Sequence, residues 1–268
     1  MIDLRDKLSL STIADDAAEF ARVYGLGLEI AEFCTAFNMD REFDTWDSRV
    51  RQEMNGVARF FFHAPFNELC PAAIDPLIAD VAKMRFRQAH VLMQSYGINT
   101  MIVHSGYLPL LYSNDWFIAH SIKFWEELLY AEPDESKVYI ENVFEQTPEL
   151  LNEIVRGVND ERFKLCFDIG HAAISGNGMT ITEWMEQVAP FLAHVHLHNN
   201  DGKHDTHNTL GGGISDIAAA IRKISKLAPE ATFTIETTDV KSSISWLITN
   251  GFLLPAHILA SENLRFYV

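Results

Sequence analysis

The sequence predicts one (β/α)8 barrel, a single-domain TIM barrel of the α/β class covering residues 1–268. Three observations point there. Short apolar or alternating runs recur at intervals of roughly thirty residues, the size of one βα unit. Amphipathic segments of helical period lie between most of them, and strand–helix alternation implies parallel pairing. Eight such units fit a chain of 268 residues, the usual length of a closed barrel. An open doubly wound sheet usually carries a glycine-rich turn after its first strand, and here that turn reads STIADDA. No composition shift, linker or low-complexity tract marks a second domain.

The elements follow in order. Leu8–Ser11 is the first strand and Leu26–Phe33 the second, with a helix around Trp46–Asn55. Arg59–His63 is the third. After it, Asp75–Tyr96 sets Ile78, Val81, Phe86, Val91 and Met93 at helical spacing and stops at Gly97, a C-cap. Thr100–His104 leads to a helix over Trp116–Tyr130, with Pro133 beyond its end. Val138–Asn142 precedes a helix opening at Thr147, with Pro148 at its first position and Glu149 and Glu153 early on. Lys164–Asp168 and Ala193–His198 are the sixth and seventh strands. Ser215–Leu227 is a helix ending before Pro229, and Thr232–Glu236 is the eighth strand. The terminal PAHILASENLRFYV is apolar enough to cover this barrel or a partner copy's, so a homo-oligomer is one expectation.

Composition narrows the function. The chain has 21 Lys and Arg against 37 Asp and Glu, a net charge of −16. That balance argues against a generic nucleic-acid binder, whose affinity rests on basic residues neutralising phosphates. No run of about 18 apolar residues spans a bilayer, and the charged N-terminus lacks a signal peptide's apolar core. Cys34, Cys70 and Cys166 are few, odd in number and far apart. They form no disulfide framework, so the expected location is the reducing cytoplasm.

Chemistry concentrates in HVHLHNNDGKHDTHNTLGGG, where five histidines and two aspartates occupy the fourteen residues from His194 to His207. His194, His196 and His198 alternate, so a strand projects all three imidazoles to one face. Asp205 and His207 add a D-x-H pair. Imidazole and carboxylate are the ligands of zinc, manganese and iron. Position strengthens the reading. Strands three to eight end in His63, His104, Glu141, Asp168 with His171, His196 and Glu236, at the rim where barrel enzymes hold their active sites. Singly, each has an ordinary alternative: Asp168 as a helix cap, His63 as a hydrogen-bonded core histidine, Glu236 as a rim partner of Lys241. Jointly, six polar strand ends would make a poor core.

The motifs HAPF, IVHSG, IENV, DIGHA, HLHNNDGKHDTH with LGGG, and IET resemble the xylose-isomerase-like barrel superfamily over nearly the whole chain. That superfamily holds sugar isomerases and epimerases together with endonuclease-IV-type apurinic-site nucleases. The isomerase pattern implies one divalent ion, Zn2+ or Mn2+, on Glu141, Asp168, His196 and Glu236, with Glu141 and Glu236 exchanging the substrate's proton. The nuclease pattern implies three zinc ions. His63 and His104 would hold one with Glu141 as a bridge, Asp168, His196 and Glu236 a second, and His171, Asp205 and His207 a third. His63, His104, Asp205 and His207 are surplus to a one-ion isomerase, so one to three ions are expected. His194 is expected deeper in the barrel, and His198 and His204 as loop or substrate contacts.

The loops favour a small substrate. His63–Asp75, His104–Asp115, Glu141–Thr147 and Asp168–Thr180 contain no Lys or Arg, which disfavours gripping duplex DNA. Arg41, Arg49 and Arg51 cluster beside Phe43 and Trp46, a solvated helix face in the simplest view. Phe66, Tyr107, Tyr112, Trp116 and Phe144 crowd the rim, and apolar walls with few polar anchors suit an enclosed small molecule. His171, His198, Lys203, Phe66, Tyr107 and Trp116 are the expected substrate contacts. The expected activity is isomerisation or epimerisation of a sugar or sugar phosphate, with multi-zinc phosphodiester cleavage as the alternative.

Overall fold

The computed structural model describes residues 2–131, 135–175 and 178–256. Strands β1 (Leu8–Ser11), β2 (Gly27–Ile30), β3 (Phe60–His63), β4 (Thr100–His104), β5 (Lys137–Glu141), β6 (Phe163–Asp168), β7 (Leu192–Leu197) and β8 (Thr232–Ile235) pair in sequence order. All pairs are parallel and β8 closes on β1, through Leu8–Phe233 and Leu10–Ile235. Around the barrel run α1 (Ala17–Tyr24), α2 (Ala36–Arg41), α3 (Phe43–Met54), α4 (Pro76–Ser95), α5 (Asn114–Ala131), α6 (Glu149–Val158), α7 (Ile169–Ser175), α8 (Ile181–Val188), α9 (Ile217–Leu227) and α10 (Val240–Thr249). The predicted single barrel is the observed one.

Local chemistry sets the helix starts. Asp75 accepts from the Leu77 amide with Pro76 at the first turn of α4. Thr180 and Glu183 form a reciprocal capping box on α8. Outward-facing strand residues such as Leu10, Ile30, Phe62, Val103, Ile140, Phe167, Val195 and Ile235 are buried against the helices in one continuous core. Burying side chains of this size contributes about 1.5–3 kcal/mol each.

The barrel interior is different. Its β4–β6 side holds Ile102, Tyr139 and Cys166, whereas the β7–β2 side buries Ser9, Glu29, His194, His196 and Thr234. Bulky aliphatic layers usually fill this space. Here a hydrogen-bonded polar network fills half of it.

Strand β2 is shorter than the expected Leu26–Phe33. Beyond Ile30 the Thr12 hydroxyl bonds the Glu32 carboxylate and accepts from the Ala31 amide, which turns the chain away from the sheet. The short helix α2, capped by Thr35, was not anticipated. Residues 257–268 of the apolar terminal segment lie outside the described residues. No helix among the described residues is long and apolar enough to cross a membrane.

Candidate metal centre and active site

Six strands deliver their terminal polar side chains to one rim. His63 and His104 direct Nε2 to the Glu141 carboxylate at 3.5 and 3.6 Å. Asp168 lies 3.1 Å from His198 Nε2 and 3.7 Å from His171 Nδ1. Asp205 joins His171 at 3.2 Å, His207 at 3.3 Å and His198 at 3.7 Å. The ligand atoms of His63/His104/Glu141, of Asp168/His171/His198 and of His198/Asp205/His207 lie within 4.8 Å of one another in each group.

The imidazoles are oriented for this. Nδ1 of His63, His171 and His207 each sits on a backbone carbonyl, of Ala64, Asn142 and Glu236, at 3.0, 2.9 and 2.8 Å. A carbonyl only accepts, so Nδ1 carries a proton and Nε2 is the nitrogen left facing the cluster. That is the usual outer-shell device of a metal-binding histidine. Asp168 is pinned as well. Its amide donates to the Asn142 side chain, whose NH2 donates back to the Asp168 carbonyl. His207 stands in the left-handed region at φ 44°, a strained conformation that a functional loop tolerates when its surroundings enforce it.

The donor set fits a cation. Both Glu141 carboxylate oxygens and Nδ1 of His196 and His198 are buried without a hydrogen-bond partner among the described residues. Buried polar atoms left open in this way ask for an ion or water. Burial opposes the Glu141 charge, but His196 and His104 hold its carboxyl well below the usual carboxylate range. Glu236 moves the other way, raised by burial, with Glu29 and Glu141 adding to the rise against His196. Burial opposes a proton on His207, yet Asp205 raises it to about 9. Burial, aided by neighbouring imidazoles, lowers His104 to about 3.

Beneath this floor lies a group the sequence reading missed. Glu29 of β2 is fully buried and meets His196 Nε2 at 3.1 Å and His194 Nε2 at 3.4 Å. Burial would raise its carboxyl, but the two imidazoles hold it far below its ordinary value. His194 also bonds the Thr232 and Thr234 hydroxyls at 2.6 and 2.9 Å, so it lies deep in the barrel as expected. The available signal was one acidic residue in the apolar run LGLEI, because a carboxylate on a barrel strand needs a partner.

Of the histidines on β7, His196 turns Nε2 down to Glu29 and Nδ1 up to Glu141, Glu236 and Asp168 at 3.4, 3.4 and 3.8 Å. His198, expected as a loop or substrate contact, lies in the loop just past the end of β7 and is fully buried, with its ring stacked on His207 at 4.1 Å. Gly170 makes room for it, since a Cβ there would stand 1.9 Å from His198 Cε1. The D-I-G-H turn thus admits an imidazole opposite Asp168, the position the sequence reading gave to His196.

A cavity of about 900 Å3 opens over the cluster. His63, His104, Glu141, His171, Asp205, His207 and Glu236 face it, as do Phe66, Tyr107 and Lys203. Trp116 does not line it. Its indole donates to the Ala72 carbonyl and its ring stacks on His120 at 3.6 Å, so the expected substrate contact serves packing. His204 is exposed and bonded to Asp201. Of the second-strand basic cluster, Arg49 is tied to Glu53, Asp15 and Glu32, and Arg51 to Asp47.

The sequence profile of the family described as xylose isomerase-like TIM barrel matches residues 20–250. The protein MJ1311 of Methanocaldococcus jannaschii is 28% identical over 191 residues, which are 68% of this chain and 65% of that one. The chain therefore spans less than two thirds of that relative's length. Among solved structures, the TTHB071 protein of Thermus thermophilus soaked with ZnCl2 superposes with a TM-score of 0.73 at 22% identity, covering 91% of this chain and 97% of that one. A D-tagatose 3-epimerase-like protein does so with a TM-score of 0.71 at 22% identity, covering 97% of both chains.

Proposed function

The chain belongs to the xylose isomerase-like TIM-barrel family, and we propose that it is a divalent-metal-dependent isomerase or epimerase of a small polyhydroxy carbonyl compound, a sugar or sugar phosphate. One observation carries the reading. Glu141 and Glu236 approach the same imidazole nitrogen, His196 Nδ1, at 3.4 Å each from strands β5 and β8. They flank the floor of an enclosed cavity, and their proton affinities are pushed apart. Such a pair assigns a base and an acid.

In this reading Glu141, whose proton affinity is lowered, accepts the carbon-bound proton, and Glu236, whose affinity is raised, donates one. His196 faces both carboxylates and is itself held by Glu29, so it fixes their separation. Asn142 holds Asp168 and His171 in register with Glu141. Zn2+ or Mn2+ would be held by Glu141, Asp168, His196 and Glu236, whose carboxylates converge on His196 Nδ1; when bound, it would polarise a carbonyl or alkoxide oxygen and acidify the neighbouring C–H. Lys203 at the mouth suits a phosphate or carboxylate on the far end of the substrate.

A second reading has its own observation. Glu141 and His198 each belong to two ligand groups, an arrangement that accommodates more than one ion and supports phosphodiester cleavage. Elemental analysis of protein purified without chelator, combined with solvent-deuterium incorporation into a panel of ketoses and ketose phosphates, separates the two. The isomerase reading expects incorporation that Glu141→Gln and Glu236→Gln abolish. Close to three zinc ions per chain, with cleavage of an abasic duplex and no incorporation, would overturn it.

A further inference from the structure

Beside the polar cluster, the cavity has a second, mainly apolar lining, to which the loop after β3 also brings Asn67 and Glu68. Phe66 and Leu69 after β3, Tyr107 and Leu108 after β4, Phe144 after β5 and Ile174 of α7 supply that apolar lining. Phe144 and Leu108 are 52% and 44% exposed, large apolar surface left open at the mouth. Phe66 is fixed there by stacking on His104, with ring centroids 4.2 Å apart, and Tyr107 by packing edge-on against Phe117 at 5.1 Å.

A free sugar is hydroxylated all round. A hydroxyl turned to these apolar side chains would lose water and gain no partner from them, which costs binding energy. The cavity volume of about 900 Å3 is near the top of the range of roughly 300–1,000 Å3 that ligand pockets occupy, so there is room beside a monosaccharide unit. An exposed aromatic and aliphatic surface continuous with a catalytic floor is best matched by a ligand that is itself two-faced.

We infer that the substrate carries an aromatic or aliphatic group next to its polyhydroxy carbonyl half, as an aryl or alkyl glycoside of a keto-sugar does, and that the apolar side chains from Phe66 to Phe144 bind that group. This rests on the proposal that the polar half lies on the metal-binding floor. Neither half alone fills the site: the floor supplies the chemistry and the wall the selection.

Calorimetric titration of the metal-loaded protein with phenyl β-D-glucopyranoside and methyl β-D-glucopyranoside tests it, because the two share the sugar and differ only in the apolar group. The phenyl compound is expected to bind at least about tenfold more tightly. Leu108→Ala and Phe144→Ala, both at exposed positions that the fold does not need, are expected to remove most of that difference while leaving methyl glucoside affinity within about twofold. Equal affinity for the two glycosides, binding of neither, or an advantage untouched by the substitutions overturns the inference. A chelated sample keeps the two proposals apart. If the phenyl advantage depends on the wall but neither affinity responds to chelation, the wall assignment stands and the metal-floor reading falls. If both affinities fall on chelation and the phenyl advantage is absent, the floor reading stands and the wall assignment falls.

Discussion

Gly170→Ala places one methyl group where the His198 ring now lies. The added Cβ would be 1.9, 2.3 and 2.5 Å from Cε1, Nε2 and Nδ1, and the ring is boxed in by His207 at 4.1 Å and Asp168 at 3.1 Å. It cannot slide within its slot. Accommodating the methyl costs about 1–3 kcal/mol as overpacking, and losing the Asp168–His198 bond costs about 1.5–3 kcal/mol more. The sum, about 2.5–6 kcal/mol, corresponds to a melting temperature lowered by roughly 5–24 °C at about 2–4 °C per kcal/mol. Metal affinity is expected to drop about 10–100-fold, the usual effect of disturbing a ligand's surroundings. Thermal unfolding and zinc titration of wild type, Gly170→Ala, His198→Ala and the double variant form a cycle. In the His198→Ala background the methyl meets empty space, so its cost should fall below about 1 kcal/mol. A cost equal in both backgrounds would refute the packing account of the D-I-G-H turn.

Other perturbations test other parts. Glu29→Gln removes the charge facing His194 and His196 and is expected to cost about 3–5 kcal/mol at neutral pH. Because the Glu29 carboxyl is held below its ordinary value of 4.5, its contribution is complete above that pH and is lost as pH falls further. The gap in melting temperature between wild type and variant should therefore narrow below about pH 4.5, and a gap constant with pH would count against it. Asn142→Ala leaves the Asp168 amide and carbonyl without their partners, at about 1–3 kcal/mol for each buried group, measured by denaturant unfolding. Chelation of the as-purified protein should lower its melting temperature by about 5–11 °C, since an ion at 100 times its Kd adds about 2.7 kcal/mol. Superimposable melting curves before and after verified metal removal would contradict a functional ion site.

Much of this was legible because it is periodic. Strand spacing and helix caps are written locally, and the polar residues fall at strand ends because the barrel geometry places them there, so His63, His104, Glu141, Asp168, His171 and Glu236 could be read without coordinates. What escaped depends on residues far apart in the chain. Glu29 stands inside the expected second strand with nothing local to mark it, and its partners are on β7. His198 seemed the outermost of three equivalent imidazoles, yet its burial is set by a missing side chain at Gly170 and by His207 folding back over it. Trp116 was read as a rim aromatic, and the Ala72 carbonyl claims it. The shortening of β2 follows from Thr12, a residue of the preceding turn.

The polar seam inside the barrel also bears on how the chain folds. Glu29 finds His196 across a separation of 167 residues, so until β7 is in place the β2 carboxylate has no partner and stays in water. Pairing β2 with β3 can begin early, but sealing the interior over β2 waits for the last third of the chain. Contacts this distant in sequence are closed slowly. They also penalise a half-barrel that tries to collapse on itself, since burying Glu29 alone would cost several kcal/mol. The network that braces the floor of the site thus also serves as a checkpoint on complete closure.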